Sequence, residues 1–117
     1  MAALEPPSEG LPPATGWTPG RLLEVSGSYW QTCALHAAVK LDLFSHLAPG
    51  SRSAEALARE LGVDPRALEM LLNAVAAMGL LEKSARRFGC SGPARTYLSR
   101  GSEHYLGHML LHHHHLF

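Results

Sequence analysis

The sequence predicts a mainly α fold, a winged helix-turn-helix with a small β-hairpin wing, flanked by a long N-terminal helix and a C-terminal helix. Three observations carry that reading. Two short amphipathic segments, each with its own start signal, follow one another across a tight turn between Leu61 and Pro65. Immediately after them, Leu80–Lys83 and Arg87–Ser91 flank a turn at Ser84–Arg86, the pattern of a hairpin. Ahead of both lies a segment whose apolar residues recur at steps of three and four. Helix, tight turn, helix and hairpin in that order spell the winged unit.

The elements follow in order. Residues 1–17 hold Pro6, Pro7, Pro12 and Pro13 with Gly10 and Gly16, so they form a flexible tail ending at Trp17. Thr18-Pro19 reads as N-cap and first helical position. From there Leu22, Leu23, Trp30, Cys33, Ala34, Ala37, Ala38 and Leu41 mark one long amphipathic helix to about Lys40, weakened in its first half by Gly27 and its serine neighbours. A short apolar helix, Leu41 to Leu47, stops at Pro49-Gly50. Ser53 caps a helix over Ala54 to Leu61 that Gly62 ends. Asp64-Pro65 starts the next, with Leu68, Leu71, Leu72 and Val75 as its buried stripe and Gly79 as its stop. After the wing, Gly92-Pro93 opens a helical turn, and Ser102 caps a last helix through Tyr105, Leu106, Met109 and Leu110 to Phe117. The domain boundaries are therefore a tail over 1–17, the winged body over 18–101, and a C-terminal helix over 102–117.

Composition narrows the function classes. The 117 residues suit one domain, with 46% hydrophobic and 17% charged residues supplying one core. Ten Lys and Arg balance ten Asp and Glu, which argues against a partner held by bulk electrostatics such as nucleic acid or an anionic membrane. No apolar run is long enough to span a bilayer, and the N-terminus lacks the basic start and apolar stretch of a secretory signal, so a cytoplasmic protein is expected. Cys33 and Cys90 are too few for a disulfide framework and read as buried thiols.

Several segments resemble a known family. Gly27-Ser28-Tyr29-Trp30 through Leu41-Asp42-Leu43-Phe44-Ser45-His46-Leu47 is one. Ser53-Ala54-Glu55-Ala56-Leu57-Ala58-Arg59-Glu60-Leu61-Gly62 with Arg66-Ala67-Leu68-Glu69-Met70-Leu71-Leu72 is the next. Met78-Gly79-Leu80-Leu81-Glu82 with Phe88-Gly89-Cys90-Ser91, then Tyr97-Leu98, continues the pattern over residues 20–117. This order resembles the N-terminal dimerisation domain of S-adenosylmethionine-dependent O-methyltransferases of the plant caffeate and flavonoid type and the hydroxyindole type, with their bacterial relatives. The resemblance implies a winged helix that pairs subunits into a homodimer and helps wall a substrate pocket. It also implies a Rossmann-like catalytic domain that follows and holds S-adenosylmethionine. There a substrate hydroxyl attacks the sulfonium methyl, aided by positioning and a general base. This chain shows no G-x-G-x-x-G run and no βαβ unit. It is therefore expected to carry no catalytic residue, no cofactor site and no methyltransferase activity of its own, and its C-terminal helix is expected to lead toward a catalytic domain that it lacks. The small hydroxylated substrate belongs to the parent enzyme.

Surface chemistry bears on the partner. Leu22, Leu23, Tyr29, Trp30, Cys33, Ala34 and Ala37 are the candidate dimer interface, because the small residues of the first helix permit close approach and the aromatic ones supply area. An ordinary core helix of one subunit is the plainer reading of the same pattern. The alternative function is a winged-helix DNA-binding transcriptional regulator, since Lys83, Arg86, Arg87, Arg95 and Arg100 fall in a stretch without acidic residues. Against it, the second helix offers Arg66, Glu69, Met70, Asn73, Ala74 and Ala77 off its core stripe, so DNA is not the expected partner, nor is a membrane. His104, His108 and His112 stack on one face if all are helical, a spacing that can chelate a metal. With no obvious further ligand, no metal site is assigned. A short natural form that pairs with the full enzyme and poisons it is a third possibility.

Overall fold

The computed structural model describes residues 16–116, so most of the expected flexible tail lies outside the described residues. The chain divides into two units, residues 1–30 and 31–117. In the first, α1 (Pro19–Gly27) starts as expected: Thr18 Oγ1 accepts from the Arg21 amide at 3.1 Å and proline holds the first position. The Arg21 guanidinium lies over the Trp17 ring, 4.6 Å from its centroid. The predicted single long helix is corrected at Ser28. There the backbone amide and the hydroxyl both donate to the Val25 carbonyl, at 3.2 and 2.8 Å, closing a tighter turn that ends α1. A serine hydroxyl that competes for a carbonyl beside a glycine interrupts the helical ladder. The next helix, α2 (Tyr29–Lys40), begins one residue later.

The second unit holds the core. Buried apolar side chains run from Ala34 to Leu98, with Phe44 and Phe88 the largest of those fully enclosed. Each such ring contributes about 1.5–3 kcal/mol by leaving water. Burial of Ala34, Ala38 and Val39 faces α2 toward this core. The short apolar helix proves shorter than expected, α3 (Leu43–Leu47), because Asp42 adopts a left-handed conformation, φ 57°. Its carboxylate accepts from Ser45 Oγ at 2.7 Å and pairs with Arg100 at 3.2 Å, so the turn is held by side chains on both sides.

The helix pair stands where its caps place it. Ser53 Oγ accepts from the Ala56 amide to start α4 (Ala54–Leu61), and Asp64 Oδ2 accepts from the Ala67 amide to start α5 (Pro65–Ala77). Between them Gly62, at φ 70°, lets its own amide and that of Val63 reach the Ala58 carbonyl at 2.8 and 3.1 Å. A two-residue turn, Ala85-Arg86, both at positive φ, joins β2 (Leu81–Ser84) to β3 (Arg87–Cys90). A third strand that the sequence pattern does not announce, β1 (Arg52–Ser53), pairs antiparallel with β3, so the sheet order is β1-β3-β2. Among the described residues the fold is thus mainly helical with a small three-stranded antiparallel sheet.

Ser91 caps α6 (Gly92–Tyr97) through the Ala94 amide while its hydroxyl donates to the Leu80 carbonyl at 3.0 Å. The C-terminal helix needs correction. It is α7 (Gly107–Leu116) and begins five residues later than expected. Ser102 does not cap it: its hydroxyl accepts from the His104 amide two residues on, closing a local turn, and the Leu106 amide donates to the Tyr97 carbonyl at 2.7 Å. No helix among the described residues is long and apolar enough to cross a membrane.

Candidate functional site

No residue of α1 is buried. Leu22 is 56% exposed, Leu23 74%, Tyr29 71% and Trp30 45%. One exposed leucine needs no explanation, whereas several large apolar groups within nine residues form a candidate interaction surface. Val25, three residues on from Leu22 and also exposed, belongs to the same set. The sequence reading passed over it, although the i, i+3 step would have found it.

The remaining candidates on α2 separate. Cys33 is exposed, which corrects the expectation of a buried thiol there, and it lies one helical turn from both Tyr29 and Trp30. Ala34 packs into the chain's own core and Ala37 is half-buried, so these two serve the fold first. Cys90 is buried as expected. Its thiol donates to the Phe44 carbonyl at 3.3 Å, and burial pushes its pKa up, keeping it unreactive.

Part of the basic stretch is bonded within the chain. Arg87 donates to Ser51 Oγ at 3.2 Å and to the Ser51 carbonyl at 2.6 Å. Lys83 donates to Asn73 Oδ1 at 2.7 Å, an arrangement that takes one amide of α5 out of play as well. Arg100 is paired with Asp42. At the β2–β3 turn, Arg86 and Arg66 share a groove with Glu55 and Glu69, so the local charge is balanced. Base-edge and phosphate contacts need free, convergent cations, and three of the five basic residues between Lys83 and Arg100 are bonded within the fold.

Other polar clusters read as surface structure. Glu60 bridges Arg52, with which it makes a short contact, and His46, whose Nδ1 is 3.2 Å away, along a groove of about 450 Å³ beside Pro49 and Gly50. The Arg52 hydrogen bond holds the Glu60 carboxyl below the usual range, with the nearby His46 adding to it. Among the described residues no group of three or more His, Cys, Asp or Glu is placed to hold a metal. The expected stack of three histidines is corrected too: His104 lies in the turn before α7, leaving His108 and His112 on the helix. His36, unremarked in the sequence, is instead the buried histidine. Among the described residues the sheet is antiparallel, and no strand runs into a helix through a glycine-rich turn.

Comparison with known proteins agrees with this geometry. Residues 23–100 match the family model described as the O-methyltransferase dimerisation domain. The chain is 38% identical over 98 residues to 3-hydroxy-5-methyl-1-naphthoate 3-O-methyltransferase of Streptomyces sahachiroi, covering 84% of this chain and 28% of that protein. It is 37% identical over 92 residues to the N,N-dimethyltransferase OxyT of Streptomyces rimosus, covering 79% and 27%. Among solved structures, that of PigF with SAH superposes with a TM-score of 0.76 at 28% identity, over 82% of this chain and 28% of the other. The chain thus spans less than a third of the length of these relatives. A match over two thirds of its residues, from Leu23 in the uncovered helix to Arg100 at the end of the core, shows that the chain belongs to the O-methyltransferase dimerisation-domain family.

Proposed function

We propose that residues 18–101 act as a winged-helix pairing domain, in which the uncovered face of α1 and the start of α2 closes on the same face of a second copy to give a homodimer. The observation that carries this is the run of exposed Leu22, Leu23, Val25, Tyr29 and Trp30 in a chain of a dimerisation family. A self-complementary surface of this kind needs only one twofold axis to bury itself. In the parent enzyme, residues 102–117 lead toward a Rossmann-like domain that holds S-adenosylmethionine, and the paired helices help wall its substrate pocket. The two relatives named above carry an O-methyl and an N,N-dimethyl description, so pairing through this domain is compatible with either kind of acceptor atom. Free thiols at Cys33 and Cys90 suit a reducing compartment, and we place the protein in the cytoplasm.

Sedimentation of the 117-residue chain at micromolar concentration tests the reading. The wild type sediments as a dimer, and the double variant Leu23→Glu, Tyr29→Glu sediments as a monomer with unchanged helix content. Neither binds duplex DNA at low salt. A monomeric wild type that binds duplex DNA with an affinity falling steeply as salt rises would replace this reading with that of a regulator.

A further inference from the structure

We propose that α7 carries a binding site for one borderline divalent cation of the zinc or nickel kind, formed by His108 and His112 on its solvent side. The two residues stand four apart within α7, so one turn of the helix brings their side chains to the same face, with Cβ atoms about 5–6 Å apart. Two imidazoles at that spacing reach a single ion at the usual metal–nitrogen distance of about 2.0–2.1 Å. Imidazole is a ligand that zinc, nickel and copper accept, whereas magnesium and calcium prefer oxygen. Both side chains are exposed. Among the described residues their interactions are ring contacts, His108 with Tyr105 and His112 with His113, which leave the ring nitrogens without a hydrogen bond.

The packing of α7 keeps this pair on its outer side. Gly107 is buried, and Leu110 and Leu111 pack partly buried against the core, so the stripe that holds the helix to the chain is not the one that carries His108 and His112. The Tyr105 ring meets His108 edge to face, with centroids 5.1 Å apart and planes at 89°. One of the two ligands is thus partly ordered before an ion arrives. His115 lies three residues past His112, but its ring packs on His114 with centroids 5.6 Å apart, and His104 lies in the turn before the helix. The site is therefore a pair, consistent with the lack of any group of three ligands among the described residues. The sequence assigns no metal for want of a further protein ligand, yet a pair needs none, because water fills the remaining positions of an open site. The bound ion closes a ring across one helical turn. It favours the helical form of α7 over an unwound one, and so stabilises a ten-residue helix that is marginal alone.

Titration of the 117-residue chain with Ni2+ alone tests the site, at about pH 8, where imidazoles with an ordinary pKa of about 6.5 are neutral. Calorimetry shows one ion bound per chain, and the paramagnetic ion broadens the NMR amide signals of residues 108–112 first. His108→Gln and His112→Gln each weaken binding by at least about tenfold, the loss expected even for a partner one shell further from a metal. His104→Gln and His113→Gln leave it unchanged. All four side chains are exposed, so the variants keep the fold, and unchanged circular dichroism checks this. In hydrogen exchange read by mass spectrometry, Ni2+ at about ten times its Kd slows exchange in α7 by up to about tenfold and leaves α5 as it was. The proposal is overturned if His113→Gln weakens binding as much as His112→Gln, which would assign the metal to the histidine run as a whole. Broadening centred away from residues 108–112 overturns it too, as does uptake of several ions with equal affinity, or no binding at all.

Discussion

At Gly107 the missing side chain is a packing requirement. A Cβ there would overlap the hydroxyl of Tyr105, whose ring also meets His108 edge to face and lies under the Arg100 guanidinium. Gly107→Ala therefore drives the tyrosine from its place and destabilises the chain by about 1–3 kcal/mol, read as a lower urea midpoint. Gly27→Ala is the contrast, for nothing lies within 4 Å of the added methyl and the substitution favours the helix. The two cysteines differ as sharply. Under the proposed pairing, Cys33 is expected to react with a maleimide when the chain is dilute and to become protected as concentration rises, whereas Cys90 is expected to stay unlabelled in the folded protein at either concentration. Mass spectrometry after a timed pulse distinguishes the two sites. Labelling of Cys33 that ignores protein concentration would place the paired surface elsewhere.

Among the elements, the β2–β3 turn is the least comfortable. Ala85 and Arg86 both adopt positive φ, 49° and 65°, in a two-residue hairpin that favours Asn-Gly. The double substitution Ala85→Asn, Arg86→Gly is expected to stabilise the protein by roughly 1–2 kcal/mol, seen as a rise in melting temperature. Elements with local signals were legible in the sequence. Ser53 and Asp64-Pro65 announce their helices because a capping side chain bonds an amide three residues away. By contrast β1 is two residues long and has no periodicity, and only its distant pairing with β3 makes it a strand. Ser102 misleads because a serine satisfies a turn as well as a cap. The break at Ser28 is a matter of which group wins the Val25 carbonyl, which residue spacing does not encode. The same limit applies to the partner surface. Spacing shows which side chains are apolar, but not that α2 spends Ala34 on its own core while α1 leaves Leu23 bare.

At the scale of the whole molecule, the candidate interface and the core fall in different stretches of the chain. Among the described residues every buried apolar side chain lies between Ala34 and Leu98, and the bare apolar residues Leu22 to Trp30 all precede them. Removing residues 1–30 is therefore expected to leave residues 31–117 unfolding cooperatively while abolishing the proposed self-association. Thermal melts and sedimentation on the shortened chain check the two halves of that statement. The pairing of Arg52 with Phe88 has a consequence in time as well. The α4–α5 pair and the β2–β3 hairpin join neighbours in sequence and close at little entropic cost, whereas β1 must wait for a strand more than thirty residues away. The stitch from Arg87 to Ser51 belongs to that last step. Arg87→Ala is thus expected to accelerate unfolding several-fold and leave the refolding rate almost unchanged, the signature in stopped-flow kinetics of a contact made after the barrier has been crossed.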